Sequence, residues 1–288
     1  MRASSRVYST YMQVINSIEK MKQARKKLTG SVGFVPTMGY LHEGHLTLVR
    51  RARKKNDVAV VSIFVNPTQF GPGEDYQQYP RDTERDLALL KEAGADIVFM
   101  PKPDQIYPDG FNTWVEVFGI TDMLEGAKRP DHFKGVTTIV NKLFNIVLPD
   151  KAYFGQKDAQ QLRVIEKMVN DLDMHVRIIP VPTVREKDGL AMSSRNIYLN
   201  EEERQAATVL YKALILAEES YMRGEHDAGR IKVKMTGLIN KEPLARIDYI
   251  SIANSDTLEE MDYIDHPALV SMAVRIGKTR LIDNRTIG

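Results

Sequence analysis

The chain of 288 residues contains no cysteine. That excludes disulfides, thiolate catalysis and cysteine-ligated zinc, and it fits a cytosolic setting. Long apolar runs are missing too. None reaches the ~18 residues that a membrane-spanning helix needs. The longest block, VAVVSIFV at 58–65, suits a strand buried on both faces. Net charge is nearly absent: 40 basic against 38 acidic residues leave +2, no electrostatic footprint for nucleic acid. One basic run, RRARKK at 50–55, falls where a helix is expected to end, and the helix dipole favours cations there. The familiar glycine-rich nucleotide loops are missing as well. IGKT at 276–279 has Met272 where a Walker A loop needs its first glycine, and GPGEDY at 71–76 has Tyr76 at the third glycine position of a dinucleotide loop.

What is present alternates. Short apolar segments at 32–36, 58–65, 97–101, 151–155 and 175–182 alternate with amphipathic stretches. This predicts an α/β fold: a Rossmann-like parallel sheet with helices on both faces. RDTERDLALLKEAGA reads as a helix with glycine near its C-cap. At the N-terminus, MRASSRVYSTYMQVINSIEK is serine-bearing and free of acids before Glu19, a faint likeness to a transit peptide. It lacks an apolar signal core, and the spacing of Met12, Ile15, Ile18 and Met21 predicts a first helix. After about residue 185 the texture changes. Asn200 followed by an acidic turn predicts a long helix to about 224, and a second helix is expected over 228–240. Three strand-like segments follow. These predict a smaller C-terminal α+β domain at 185–288 beside an N-terminal domain at 1–184.

The prominent loops, PTMGYLHEG, NPTQFGPG, FGQKD and KDGLAMSSRN, all follow strands. In open parallel sheets such loops converge on one crevice at the carboxyl ends. HEGH, 42–45, opens a helix directly after a strand and a glycine turn. Zinc proteases space their histidines i and i+4; here the spacing is i and i+3, and no third ligand lies nearby. A helix N-terminus offers free N–H groups and partial positive charge to an anion. His42 and His45 would add donors for phosphate oxygens, and Gly44 clears a path to the backbone. Lys157 and Asp158 in FGQKD supply a cation for phosphate and a carboxylate to orient it or hold magnesium. Ser193, Ser194 and Arg195 add further donors. Gln69 and Gln161 stand beside apolar neighbours, where an amide binds a hydroxyl or carboxylate without adding charge.

Taken in order, PTMGYLHEGH, FVNPTQF with EDYQQYPRD, RPDHFKGV, YFGQKDAQQ and DGLAMSSRNIYL, spanning 36–199, resemble the pantoate–β-alanine ligase (pantothenate synthetase) family. The paired HxGH and KMSKS-like signatures place that family in the nucleotidyltransferase superfamily. Tyr40 and Asp131 depart from the family's usual residues. The resemblance implies ATP-dependent condensation of pantoate with β-alanine through a pantoyl adenylate, releasing AMP and pyrophosphate. It implies that Met38, Gly39, Tyr40, Leu41, His42, Glu43, Gly44 and His45 bind ATP, completed by Gly155, Gln156, Lys157 and Asp158, by Val184, and by Met192, Ser193, Ser194 and Arg195. On the same resemblance His45 would stabilise the transition state or donate a proton, His42 would act with it on the phosphates, and Lys157 and Arg195 would stabilise charge; Glu43 is assigned no separate chemical role, and its carboxylate favours the helix N-terminus. Gln69 and Gln161 would hold pantoate, with Gln69 also near the incoming β-alanine, where Asn66 would assist, and Val136 and Val140 would wall the geminal methyl groups of pantoate. Magnesium would arrive with ATP, with Asp86 as the candidate protein ligand. The family also implies a cytoplasmic homodimer whose C-terminal domain is a lid.

Overall fold

A computed structural model of the chain describes residues 11–288. Residues 1–10, the first half of the leader-like stretch, lie outside the described residues. The N-terminal part runs β1 (Gln13–Ile15), α1 (Ile18–Lys27), β2 (Val32–Thr37), α2 (Glu43–Lys55), β3 (Val58–Ile63), α3 (Thr83–Ala93) and β4 (Ile97–Phe99). It continues with α4 (Pro103–Ile106), α5 (Leu124–Lys128), α6 (His132–Val147), β5 (Lys151–Gly155), α7 (Ala159–Asp171) and β6 (Arg177–Val181). Its six strands form one parallel sheet in the order β1-β4-β3-β2-β5-β6. β2 sits between β3 and β5, so the strand order reverses beside it. That is the switch point at which open α/β sheets leave a crevice.

Alternation along the strands divides the core. Val32, Phe34, Val58 and Val60 point to the face covered by Met21 of α1, Phe144 of α6 and Ile165 of α7. Val35, Ala59 and Val61 point to the face covered by Val49 and Ala52 of α2 and Leu90 of α3. The sheet is thus sandwiched, which is why β3 reads as a continuous apolar run. Among the described residues no helix is long and apolar enough to cross a membrane.

Two expected helices come out differently. Over Met12–Met21 the chain first adds β1 to the free edge of β4. Ser17 then accepts the Lys20 N–H at 3.2 Å and caps a helix that begins only at Ile18. Ile15 and Met21 are both buried, in two different elements, so their helical spacing was coincidental. The long helix expected from Asn200 breaks into α8 (Glu201–Ala206) and α9 (Val209–Met222). The Thr208 hydroxyl donates to the Gln205 carbonyl at 2.8 Å and competes for an acceptor that a continuous helix would use.

α10 (Ala228–Ile239) follows, then the antiparallel sheet β7 (Ala245–Asn254), β8 (Ala268–Ile276) and β9 (Thr279–Ile287). Its core is separate: Leu210 and Leu214 of α9 and Ile231 and Met235 of α10 pack on Val270, Met272 and Val274. Leu190 is the first residue in chain order to join it. Polar clamps hold this unit against the parallel sheet. Arg280 grips the buried Glu125 with two bonds of 2.7 and 2.9 Å and Asp248 with a third of 2.8 Å. Arg185 grips Asp283 at 2.7 and 2.9 Å. Asn284 donates to the carbonyls of Gln156 and Lys157 at 3.1 and 2.7 Å. Forked guanidinium–carboxylate pairs of this kind specify a docking geometry.

α6 approaches the turn at Pro67–Gln69 unusually closely. A Cβ at Gly135 would lie 2.4 Å from the Thr68 carbonyl oxygen and 2.7 Å from the Gln69 nitrogen, both backbone atoms that cannot swing aside. Gly237, in α10, has nothing within 4 Å. The same substitution therefore acts with opposite signs. Gly135→Ala is expected to cost about 1–3 kcal/mol by overpacking, whereas Gly237→Ala gains up to about 1 kcal/mol of helix propensity. Urea unfolding of the two variants beside the parent checks both.

Candidate active site

The loop leaving β2 is held by polar bonds from beneath. Gly39 and Tyr40 take positive φ values of 84° and 50°, turning the chain so that two successive N–H groups face α3. Asp86 there accepts both, from Tyr40 at 2.7 Å and Leu41 at 2.8 Å. Arg85 donates to the Leu41 carbonyl at 2.9 Å, and Ser194 to the Tyr40 carbonyl at 3.1 Å. Asp86 is 1% exposed. With both carboxylate oxygens occupied and away from the cavity, it fits a loop anchor rather than the magnesium ligand suggested above. Among the described residues no group of three His, Cys, Asp or Glu side chains is placed to hold a metal ion.

The loop delivers the two histidines to the first turn of α2. His42 is the N-cap residue: its Nδ1 accepts the Gly44 N–H at 3.2 Å, and the Nδ1 of His45 accepts the His42 N–H at 3.3 Å. The rings lie 4.0 Å apart, centroid to centroid. Backbone N–H groups are donors only, so both Nδ1 atoms are unprotonated and each neutral ring carries its proton on Nε2. Burial, reinforced by His45 and Lys157, pushes the pKa of His42 from 6.5 to about 2; burial, then Lys157, pushes that of His45 to about 4. The pair is a set of uncharged N–H donors. Gly44 has a second purpose here: a Cβ on it would sit 2.8 Å from the His42 ring.

The other strand ends complete the cleft. β5 ends at Gly155, and a 3₁₀ turn at Gln156–Asp158 carries Lys157, which lies 3.6 Å from Asp158. A tight excursion after β6 returns so that the Met192 N–H meets the Val184 carbonyl at 3.0 Å, setting the two residues side by side. Ser193 then caps a short 3₁₀ turn by accepting the Arg195 N–H at 3.3 Å. Arg195 is itself paired, Nε and Nη2 to Asp75 at 2.9 and 2.7 Å.

A cavity of about 240 Å³ opens among these loops. Met38, His42, Gly44 and His45 line it from the first loop, and Gly155, Lys157 and Asp158 from the β5 loop. Val184 and Met192–Arg195 close one side; Asn66, Gln69 and Gln161 line the other, beside Val136 and Val140. An adjoining cavity of about 770 Å³ shares Lys157, Asp158, Ser193 and Arg195 and runs beneath the C-terminal sheet, where Arg275 and Lys278 line it. Such volumes suit a nucleotide-sized ligand.

Several expected residues are elsewhere. Gly39, Tyr40, Leu41, Glu43 and Gln156 do not line the smaller cavity. The first three shape the loop through their backbone. Leu41 is fully buried, and Tyr40 lies under the Arg85 guanidinium at 5.2 Å. Glu43 points outward to Arg50, with two bonds of 2.6 and 2.9 Å. Asn66 does line the cavity, but it is 1% exposed and its amide is engaged by its neighbours. Of the two adjacent glutamines, Gln160 is spent on the backbone of 120–125 and Gln161 faces the cavity.

Three further groups escaped the sequence reading. Arg129 and His132 line the cavity beside Gln69, and Tyr79 lines it near Ser194. RPDHFKGV and EDYQQYPRD contain them, and those segments were the available signal. His132 is held near a pKa of about 4 by burial and by Arg129.

An uncharged pair of imidazole donors, a lysine, an arginine and two serines thus meet at the carboxyl ends of parallel strands, an arrangement suited to an anionic, phosphate-bearing ligand. The family model described as pantoate-beta-alanine ligase matches residues 12–286. The pantothenate synthetase of Herpetosiphon aurantiacus is 59% identical over 274 residues, covering 95% of this chain and 99% of the relative. That of Acetivibrio thermocellus is 57% identical over 276 residues, covering 95% and 98%. A solved pantothenate synthetase from Thermus thermophilus superposes with a TM-score of 0.91 at 48% identity over 95% of this chain and 99% of that one. A pantoate-beta-alanine ligase from Francisella tularensis, solved in complex with beta-gamma ATP and beta-alanine, gives 0.79 at 35% identity, covering 96% and 97%. The chain belongs to the pantoate–β-alanine ligase family.

The depressed histidines have a consequence for acid stability. Between pH 6.5 and about 4 the unfolded chain binds protons that the folded rings refuse, so stability falls as pH falls through that window. Urea midpoints measured from neutral pH down to about 5 should decline steadily. His132→Asn, which removes one such group, should make the decline shallower.

Proposed function

We propose that the chain condenses pantoate with β-alanine at the expense of ATP, releasing AMP and pyrophosphate through a pantoyl adenylate. The observation that carries this reading is the meeting, in one cleft, of the His42–His45 donor pair and Lys157 with Gln69, Gln161 and an apolar wall. The first set suits a triphosphate, and the second suits a small hydroxy acid with geminal methyl groups.

A carboxylate is a poor acyl donor because oxide is a poor leaving group. Its attack on the α-phosphorus of ATP forms a carbon–oxygen–phosphorus mixed anhydride and breaks the bond to pyrophosphate. Negative charge then grows on the phosphoryl oxygens. The Nε2–H groups of His42 and His45 lie ready at the helix terminus without having brought a buried positive charge. Lys157 supplies the charge, and Arg195 joins it by exchanging Asp75 for phosphate oxygens. The amine of β-alanine next attacks the acyl carbon, an amide bond forms, and AMP departs with the electron pair of the broken acyl–oxygen bond. Val136 and Val140, 2% and 5% exposed, exclude water from the anhydride on that side. Magnesium belongs to this reading as the companion of ATP; Asp158 is the carboxylate that lines both cavities beside Lys157. The same reading makes the chain a cytoplasmic homodimer with its C-terminal unit as a lid.

Incubation with ATP and pantoate, with and without β-alanine, tests it. Pantothenate and stoichiometric AMP should form only with all three substrates; transfer of AMP to a phosphorylated acceptor instead would overturn it. His45→Ala and Lys157→Ala are each expected to slow single-turnover adenylate formation by about 100-fold or more, the usual effect of removing one such group. Melting temperatures should stay near the parent's.

A further inference from the structure

The orientation of the Gln69 amide follows from partners whose own polarity is set by the backbone. The Gly135 carbonyl only accepts, so the Asn66 atom 3.1 Å away is its Nδ2. Asn66 Oδ1 meanwhile accepts the hydroxyls of Tyr107 at 2.8 Å and Thr68 at 3.1 Å. The same Nδ2 lies 3.2 Å from Gln69, which therefore turns its Oε1 to Asn66. Gln69 Nε2 is left facing the cavity, with only the Met38 sulfur, a weak acceptor, 3.0 Å away.

The main chain of Gln69 is held from the opposite side. Its carbonyl accepts from His132 Nδ1 at 2.7 Å. A neutral ring that donates from Nδ1 is bare at Nε2, and that atom faces Arg129 Nη1 at 3.1 Å. Arg129 in turn gives Nε and Nη2 to the two oxygens of Glu74, both at 2.7 Å. A carboxylate, a guanidinium, an imidazole and a carbonyl are thus linked, Arg129 donating both to Glu74 and to His132, and His132 donating on to the Gln69 carbonyl.

We propose that Glu74, Arg129 and His132 are positioning residues for Gln69, holding its amide N–H₂ so that the cavity selects a ligand presenting an acceptor oxygen at that point. The proposal rests on the reading of the ligand as pantoate, whose hydroxyl or carboxylate oxygen is that acceptor. Glu74 acts on Gln69 through Arg129, which reaches the Gln69 carbonyl directly at 3.4 Å and also through His132.

The test is steady-state kinetics with pantoate and ATP varied separately. Glu74→Gln and Arg129→Lys break charge-assisted bonds and should raise the KM for pantoate by about tenfold, since about 1.4 kcal/mol is a factor of ten. The KM for ATP should stay within about twofold, well below that factor. His132→Asn keeps a donor for the Gln69 carbonyl but gives up the Nε2 acceptor for Arg129, and should raise the pantoate KM clearly less than His132→Ala, which should match Glu74→Gln. Gln69→Glu keeps an acceptor for Asn66 but removes the donor, and should lose pantoate affinity most. A joint rise of both KM values, or no change in that for pantoate, would overturn the positioning role. Should Glu74→Gln not fold, the contrast between His132→Asn and His132→Ala decides the matter. A parent protein inactive toward pantoate would instead sink the functional reading on which the proposal rests.

Discussion

Each imidazole at the start of α2 commits one ring nitrogen to a backbone N–H of the same helix turn. Much of the site depends on that constraint. The first N–H groups of a helix need acceptors, and here two come from the side chains to which the proposed mechanism gives the phosphate. The capping bonds fix the ring tautomers and aim both Nε2–H groups away from the helix. They also let two histidines stand beside Lys157 without adding positive charge to it, which the surroundings would resist. Under the proposed mechanism, phosphate entering this place would meet donors already oriented, leaving little reorganisation for the reaction itself.

Two sets of contacts keep that turn in register. From below, Asp86 and Arg85 grip the loop through Tyr40 and Leu41. From above, Ser194 reaches the Tyr40 carbonyl, and Asn284 of the C-terminal sheet holds the carbonyls of Gln156 and Lys157. The phosphate side is therefore assembled from both structural units, and the clamps of Arg280 and Arg185 bear directly on where Lys157 lies. The acid side, around Gln69, belongs to the parallel-sheet unit alone.

The fold was largely legible because strand and helix periods differ so plainly. The apolar run at 58–65 and the strand–loop–helix order around HEGH were enough to place the cleft at the carboxyl ends of parallel strands. The first helix was misjudged because Met12, Ile15, Ile18 and Met21 keep a helical spacing although a strand and a helix share them. At the site, residues with distinctive local chemistry stood out: His42, His45, Lys157 and Arg195. Others did not, because their meaning is set by tertiary contacts. Nothing local distinguishes Asp86, a loop anchor, from a metal ligand, nor Gln160, spent on backbone groups, from Gln161, which faces the cavity. Glu74 lies five residues from Gln69 in sequence, yet its connection runs through Arg129 and His132, more than fifty residues away.

The central claim is that His42 and His45 are neutral, Nε2-protonated donors held by helix capping. The direct measurement is the tautomeric state of the two rings by nitrogen-15 NMR at neutral pH, with each histidine assigned by substitution. Both rings should show the Nε2–H pattern, with Nδ1 bare and hydrogen-bonded. A protonated imidazolium, or an Nδ1–H tautomer at either residue, would contradict the account.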